Sequence, residues 1–408
     1  MTLLQTPPLA LYVHFPWCVR KCPYCDFNSH AIKGPVPEQR YVELLVRDFE
    51  RQMAGLGGRP VTTVFLGGGT PSLFTPDAID RLFAGFRRFG KFAPRVEVTL
   101  EANPGTIERG RFSEYRAAGV SRVSLGAQSF NARHLAKLGR IHSAHDTQVA
   151  VAELASAGIE NFNLDLMYGL PDQTLAEALA DLEGALALEP SHLSHYQLTL
   201  EPGTAFFHAP PALPADDEAW QMQLESQARI AEHGFDQYEV SAYARPGREC
   251  RHNRNYWEFG DYIGIGAGAH GKLTDVRQGR ISRTERPRSP REYVESIESG
   301  QPPSACDIAT ADLPFEFALN GLRLKAGFSP ALYESRTGLA VATLAKAVAR
   351  ANNRGLLEQD GHEAWRCSEL GYRFLNDLLQ LFLAELPPDP ADSYAQGRTM
   401  EPAAMRCD

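Results

Sequence analysis

Cys18, Cys22 and Cys25 stand at C-x3-C-x2-C spacing, directly after a short apolar run, Leu9–Phe15. A run of that length and character reads as a strand. The cysteines then fall on the loop leaving it, where a rigid scaffold usually carries its reactive groups. Three thiolates this close can grip three corners of an iron–sulfur cube. The fourth iron keeps an open position, which separates a reactive metal site from a closed structural one. Two plainer readings exist. The cysteines are half of a zinc site with His14 or His30 as fourth ligand, or they are free thiols. Zinc sites more often pair two such units a dozen or more residues apart, whereas Cys250, Cys306, Cys367 and Cys407 each stand alone.

The strand belongs to a repeating pattern. Strand-like stretches at 9–15, 61–66, 96–100, 122–125, 162–167 and 193–200 alternate with helical periodicity at 38–53, 76–89, 109–118, 146–157 and 175–188. A sixth helix is predicted at 216–233 and a further strand at 236–243. This alternation argues for βαβ units and a parallel sheet. Six units close partly or wholly into a barrel, with function at the C-terminal ends of the strands. Residues 277–291, rich in Pro and Arg, read as a loop or linker. From 311 to about 383 the periodicity is mostly helical, with predicted helices at 315–325, 342–351 and 370–383. A Gly-punctuated stretch at 355–361 gives this module a winged-helix-like character. The Pro/Ala-rich end, 386–408, is expected to be a disordered tail.

Composition narrows the setting. The 408 residues are 43% hydrophobic and 22% charged, enough ordinary globular chain for two or three domains. A net charge of −9 offers no general attraction to nucleic acid. The basic set Arg336, Lys346, Arg350 and Arg354 reads as a solvated helix face. No apolar stretch approaches the roughly 20 residues of a membrane span. Met1 to Pro8 lacks the features of a signal peptide. The expected compartment is the cytoplasm, where clustered thiols more often mean metal than disulfides. Peripheral membrane association stays compatible with the sequence.

Unusual residues gather where the strands end: Gly67-Gly68-Gly69-Thr70-Pro71, Glu101-Ala102-Asn103-Pro104-Gly105, Gly126-Ala127-Gln128-Ser129-Phe130, and Asp165 within Asn163-Leu164-Asp165. Any one such loop is most simply a turn. Repetition at successive strand ends beside a cysteine cluster argues for a site.

The cysteine spacing resembles the signature of the radical S-adenosylmethionine superfamily. In that superfamily the amino and carboxylate groups of S-adenosylmethionine chelate the fourth iron of a 4Fe–4S cluster. Tyr12-Val13-His14, the cysteines, the Gly-Gly-Thr-Pro loop, Gln128, Arg140 and Asp-Leu-x-Tyr-Gly-Leu-Pro together look like the branch containing oxygen-independent coproporphyrinogen III oxidase. The resemblance spans roughly residues 9 to 385. It implies an α/β fold, a partial (β/α)6 TIM-like barrel with a mostly helical C-terminal domain. It further implies that Tyr12, Gly68, Gly69, Thr70, Glu101, Gln128, Arg140 and Asp165 bind S-adenosylmethionine. Their chemistry suits that ligand. Glycine backbone allows close approach, carboxylates accept from an ammonium or ribose hydroxyls, and an arginine fork holds a carboxylate.

One departure separates subfamilies. The oxidase carries a fourth cysteine two residues after the third, and here that position is Phe27. Cys-Pro-Tyr-Cys-Asp-Phe-Asn-Ser instead looks like the HemW heme chaperones. His252-Asn253-Arg254-Asn255-Tyr256-Trp257 matches the H-N-x-x-Y-W pattern associated with heme binding in that family. Histidine is a normal axial ligand of heme iron, and aromatic rings offer flat apolar area. His252, Tyr256 and Trp257 are therefore candidate heme residues, with Cys250 a competing ligand. The plain alternative is a core histidine beside packing aromatics. Gly266-Ala267-Gly268-Ala269-His270-Gly271 matches G-x-G-x-x-G but runs into Lys272-Leu273-Thr274-Asp275, not a helix, so it reads as a packing loop.

The resemblance implies a barrel domain at 1–245, a connecting region at 246–305 and a C-terminal helical domain of HemN type at 306–385. It implies a heme chaperone with a 4Fe–4S cluster, S-adenosylmethionine and heme. Its partners would be heme-accepting proteins such as respiratory enzymes, and an electron donor for the cluster. The alternative is an enzyme, the oxidative decarboxylation of coproporphyrinogen III to protoporphyrinogen IX.

Overall fold

The strands are two-faced, and the two faces differ in chemistry. The structure, a computed structural model, describes residues 3–105, 111–360 and 364–383. In the first strand, Leu9–Phe15, residues Leu9, Leu11, Val13 and Phe15 join the main apolar core. Tyr12 and His14 point the other way, as the period of two requires. The same alternation recurs in Pro60–Gly68, Lys91–Ala102, Arg122–Gln128, Phe162–Tyr168 and His192–Gln197. There Val64, Leu66, Val98, Leu100, Val123, Leu125, Leu164 and Leu193 pack outward against the helices. Each such side chain is worth about 1.5–3 kcal/mol of burial. The inward positions are Thr63, Glu97, Glu101, Arg122, Ser124, Asn163, Asp165, His192 and Ser194. The apolar layer thus stabilises the sheet from outside and leaves a polar interior.

These six strands lie in sequence order and pair in parallel. The twelve-stranded sheet continues at both ends. Beyond His192–Gln197 it carries the antiparallel strands Ala242–Ala244 and Asp236–Glu239, where sequence alone predicts one strand. Beyond Leu9–Phe15 it gains Asp261–Ile265, also parallel, then His270–Asp275, Arg280–Glu285 and Ser304–Asp307. The sheet is an open arc, a partial barrel.

One expectation changes here. Residues 277–291 are not a linker, because Arg280–Glu285 is a paired strand and Pro290–Ser299 is a helix capped by Ser289. The region 246–305 contains helices and strands of the main sheet. Its helix Arg251–Trp257 carries the chain from one end of the arc to the strand beside Leu9–Phe15. It packs under the N-terminal parts of Pro60–Gly68 and Lys91–Ala102, through His252 to Thr63 and through Glu97 to the His252 N–H. It is the floor of the barrel. The Gly266–Gly271 stretch turns between two strands, as the packing-loop reading has it.

The C-terminal module has its own core. Phe317 sits edge-on to Phe259, Phe328 and Tyr333, at 5.6, 4.8 and 5.2 Å between ring centres. Its helices Leu313–Gly321, Pro330–Thr337 and Ala345–Asn353 precede the hairpin Leu357–Asp360 with Ala364–Cys367. The predicted final helix is broken at Phe374 into Glu369–Arg373 and Leu375–Gln380. The predicted tail lies outside the described residues.

Candidate metal and cofactor site

A cavity of about 550 Å3 opens at the C-terminal ends of the parallel strands. That is within the usual range for a small-molecule site. Cys18, Cys22, Cys25, Gly68, Gly69, Thr70, Glu101, Gln128, Arg140 and Asp165 all line it. Tyr12 lies one layer below, its hydroxyl 3.0 Å from His14 Nδ1.

The cysteine loop is laced to the glycine loop by backbone bonds. The N–H of Gly69 donates to Phe15 O at 2.6 Å, and that of Thr70 to Trp17 O at 2.8 Å. Gly68 has φ +111°, a region side chains avoid, and a Cβ there would collide with the His14 ring. At Gly69 a Cβ would sit 2.5 Å from Trp17 O. Only glycine lets these two loops approach so closely.

Cys18, Cys22 and Cys25 are free and half-buried. Each sulfur meets a hydrogen-bonding group: Thr70 Oγ1 at 3.5 Å from Cys18, Arg140 Nη1 at 3.7 Å from Cys22, and Ser29 Oγ at 3.7 Å from Cys25. Such outer partners stabilise metal-bound thiolates and tune the metal. Burial raises the Cys18 and Cys25 thiols above their ordinary value, and a metal bound there would deprotonate them outright. Among the described residues no three metal-type side chains converge on a single ion. A cube, held at three corners, needs no such convergence.

The polar wall shows what ligand it fits. Burial, with the charge of Asp165 beside it, raises Glu101 to about 8, against the opposing donation from the Gly68 N–H at 3.0 Å. Asp165 is also raised by burial, although Asn163 donates to it at 2.8 Å. Two buried carboxylates with raised affinity for protons suit a cationic group. Arg140 supplies the opposite. Its Nη2 donates to Gly126 O at 2.8 Å and to Asn103, but its buried Nε has no partner among the described residues. A buried unpaired donor costs free energy that an arriving carboxylate recovers. Gln128 stands at φ 65°, where its strand skips register against Phe162–Tyr168. A bulge re-aims a side chain, and here Gln128 Oε1 accepts from Tyr196 at 2.8 Å. Ammonium, carboxylate and hydroxyl partners are therefore all present for S-adenosylmethionine.

Sequence reasoning overlooked Asn103, whose amide donates to Thr70 Oγ1 at 2.9 Å and whose oxygen accepts from Arg140. Its only signal was its place in an unusual strand-end loop. The H-N-x-x-Y-W motif lies on the helix Arg251–Trp257. His252 is 1% exposed, with Nδ1 2.9 Å from Thr63 Oγ1 and Nε2 2.9 Å from the Tyr256 hydroxyl. Burial, helped by Arg122, lowers it to about 3. An axial ligand needs a free ring nitrogen, and neither is free. Trp257 packs with Tyr238, Ala242 and Leu324, under the Arg323 guanidinium at 4.2 Å. Cys250 is buried beside Glu97. The member of the motif that lines the cavity is Asn253.

Comparison with known proteins agrees with this fold. The solved coproporphyrinogen III oxidase (HemN) of Escherichia coli superposes with a TM-score of 0.79 over 93% of this chain and 91% of that one. At 21% identity this establishes the fold. Residues 12–183 match the family described as Radical SAM superfamily, and 308–374 the HemN C-terminal domain. The heme chaperone HemW of Escherichia coli strain K12 is 47% identical over 385 residues, covering 94% of this chain and all of that protein. The chain belongs to the HemW family. A bovine relative, named radical S-adenosyl methionine domain-containing protein 1, mitochondrial, is 37% identical over 92% of this chain and 88% of its own length.

Phe27, two residues past Cys25, is 59% exposed and lines the cavity mouth. It offers neither a ligand nor a proton there. Among the described residues no helix is long and apolar enough to cross a membrane.

Proposed function

We propose that this chain is a heme chaperone, one that binds heme and hands it to acceptor proteins. The observation that carries the reading is the whole-length identity to a protein named heme chaperone HemW. The geometry supports it through apolar side chains, Phe27 among them, at the mouth of a cavity whose inner wall is polar. We assign Cys18, Cys22 and Cys25 to a 4Fe–4S cluster. We assign Gly68, Gly69, Thr70, Glu101, Gln128, Arg140 and Asp165 to S-adenosylmethionine, with Tyr12 bracing them from below. When bound, this pair of cofactors supplies one-electron chemistry. The protein's own part is positional. Arg140 Nε meets a carboxylate, Glu101 and Asp165 meet a cation, and the glycine loop gives backbone N–H groups close access. The floor helix with His252 and Tyr256 keeps the barrel closed from below. The expected partners are heme-accepting proteins such as respiratory enzymes and a reductant for the cluster. The expected compartment is the cytoplasm, and 306–385 is read as a separate C-terminal unit.

A second reading, coproporphyrinogen III oxidation, rests on the shared fold. Phe27 opposes it, since loss of one reacting group lowers a rate by orders of magnitude while sparing the fold. The test is anaerobic incubation with coproporphyrinogen III, reductant and S-adenosylmethionine, beside a heme titration. A Soret band on heme addition and no protoporphyrinogen are expected. Robust turnover would replace the chaperone reading with the oxidase.

A further inference from the structure

We infer that heme docks on the apolar rim of the cavity mouth, with Nδ1 of His142 as the axial ligand of its iron. This rests on the heme-chaperone reading and says where on the chain heme is held.

Among the described residues the histidine that lines the cavity is His142. It is 6% exposed. Its Nε2 lies 3.0 Å from the Ala127 carbonyl. A carbonyl only accepts, so Nε2 carries the hydrogen and Nδ1 holds the lone pair. That Nδ1 has no partner among the described residues and is not among the buried unpaired nitrogens, so solvent reaches it. One ring nitrogen tied to a backbone carbonyl with the other left free is the usual arrangement of a metal-ligating histidine. Burial, reinforced by the neighbouring Arg140 charge, lowers the ring to about 4, so at neutral pH it is in the ligating form. The other histidines around the barrel are differently placed. His14 is held by Tyr12 and Asn28, His192 by Asn163 and Tyr238, and His252 by Thr63 and Tyr256.

The lining of the same cavity carries exposed apolar side chains. Val19, Phe27 and Ile141 are 38%, 59% and 64% exposed, and all three line the opening. Large apolar side chains gathered at one exposed place mark a ligand or partner surface. Here they belong to the cluster loop and to the segment holding His142, so they ring the mouth. A flat aromatic macrocycle suits such a ring. Arg20 also lines the mouth, with no partner among the described residues, and fits a propionate carboxylate. Asp26, on the same loop, repels one, so the two charges orient the macrocycle. Binding forms an Fe–N bond and releases the ligand that held that iron position, with no change of oxidation state.

The experiment uses the full chain with its cluster reconstituted and oxidised, where the cluster has no unpaired spin. Ferric heme is titrated in and followed by absorbance and electron paramagnetic resonance. His142→Gln keeps an N–H for the Ala127 carbonyl but removes the imidazole. It should raise the heme Kd at least tenfold and change the ferric heme g-values, while cluster iron and S-adenosylmethionine affinity stay put. In His142→Gly, added imidazole should restore the parent spectrum. Phe27→Asp, on the exposed loop, should raise Kd several-fold without altering the g-values, and it decides the rim if the His142 variants fail to fold. Unchanged g-values and affinity in His142→Gln would overturn the ligand assignment and leave the chaperone reading standing. Unchanged affinity in Phe27→Asp would overturn the rim. Absence of heme binding by the parent chain would remove both this inference and the function it rests on.

Discussion

Glu101 shows how a single buried residue ties the site to stability. Its folded-state value of about 8 lies above its ordinary 4.5. Between those values the folded chain holds a proton the unfolded chain has released, so stability falls as pH rises. Histidines lowered on folding, His14 and His142 at about 4, act in the opposite sense, but only below their ordinary 6.5. From pH 6.5 to 8 the carboxylate therefore dominates. Without S-adenosylmethionine, Glu101→Gln should gain roughly 1–2 kcal/mol on the parent chain across that window. Denaturation at several pH values checks this, and parallel curves would contradict it. Gly68→Ala tests the same site sterically. The positive φ and the His14 ring leave no room, so a loss of more than about 2 kcal/mol is expected. S-adenosylmethionine binding should vanish by calorimetry.

At the scale of elements, the parallel strands were legible because their outward faces are apolar and their lengths ordinary. The helix Pro76–Phe89 was legible to the residue, since Thr75 caps it and Gly90 ends it. The strands at 261–307 were missed because they are short, polar on one face and interrupted by Arg and Pro. Their partners lie far away in sequence, as Asp261–Ile265 against Leu9–Phe15 shows. The cluster loop and glycine loop were read correctly as neighbours, because both follow parallel strands. The helix Arg251–Trp257 left two readings open for another reason. A histidine beside aromatics has the same spelling in a floor as in a heme pocket, and only burial separates them. His252→Ala leaves Thr63 and Tyr256 unpaired in a buried place, at a cost of about 2–4 kcal/mol. The melting temperature should drop while heme affinity in the surviving folded protein holds. Lost affinity at an unchanged melting temperature would return His252 to the iron.

Across the whole molecule, the C-terminal module meets the barrel at the hairpin beside the cavity. Arg323 pairs with Glu239 at 3.0 Å and covers Trp257, and the Lys325 N–H donates to Tyr238 O at 3.0 Å. Glu239 also lines the cavity, so docking of the module and shape of the site share a residue. This contact was not legible in the sequence, because charge pairing across distant segments leaves no local pattern. Arg323→Ala strips Glu239 of its ion-pair partner and Trp257 of its cation. It should cost about 1–3 kcal/mol and expose the hairpin to limited proteolysis; an unchanged cleavage pattern would contradict this junction.

The central claim, that this chain carries heme to an acceptor, is tested most directly by following transfer itself. Heme-loaded, cluster-containing chain is mixed with a heme-free respiratory enzyme, and the acceptor's heme spectrum is recorded against time. A parallel sample uses a heme-scavenging trap to measure passive release. Transfer to the acceptor should run faster than release to the trap and should rise with acceptor concentration. Transfer no faster than passive release would contradict the account.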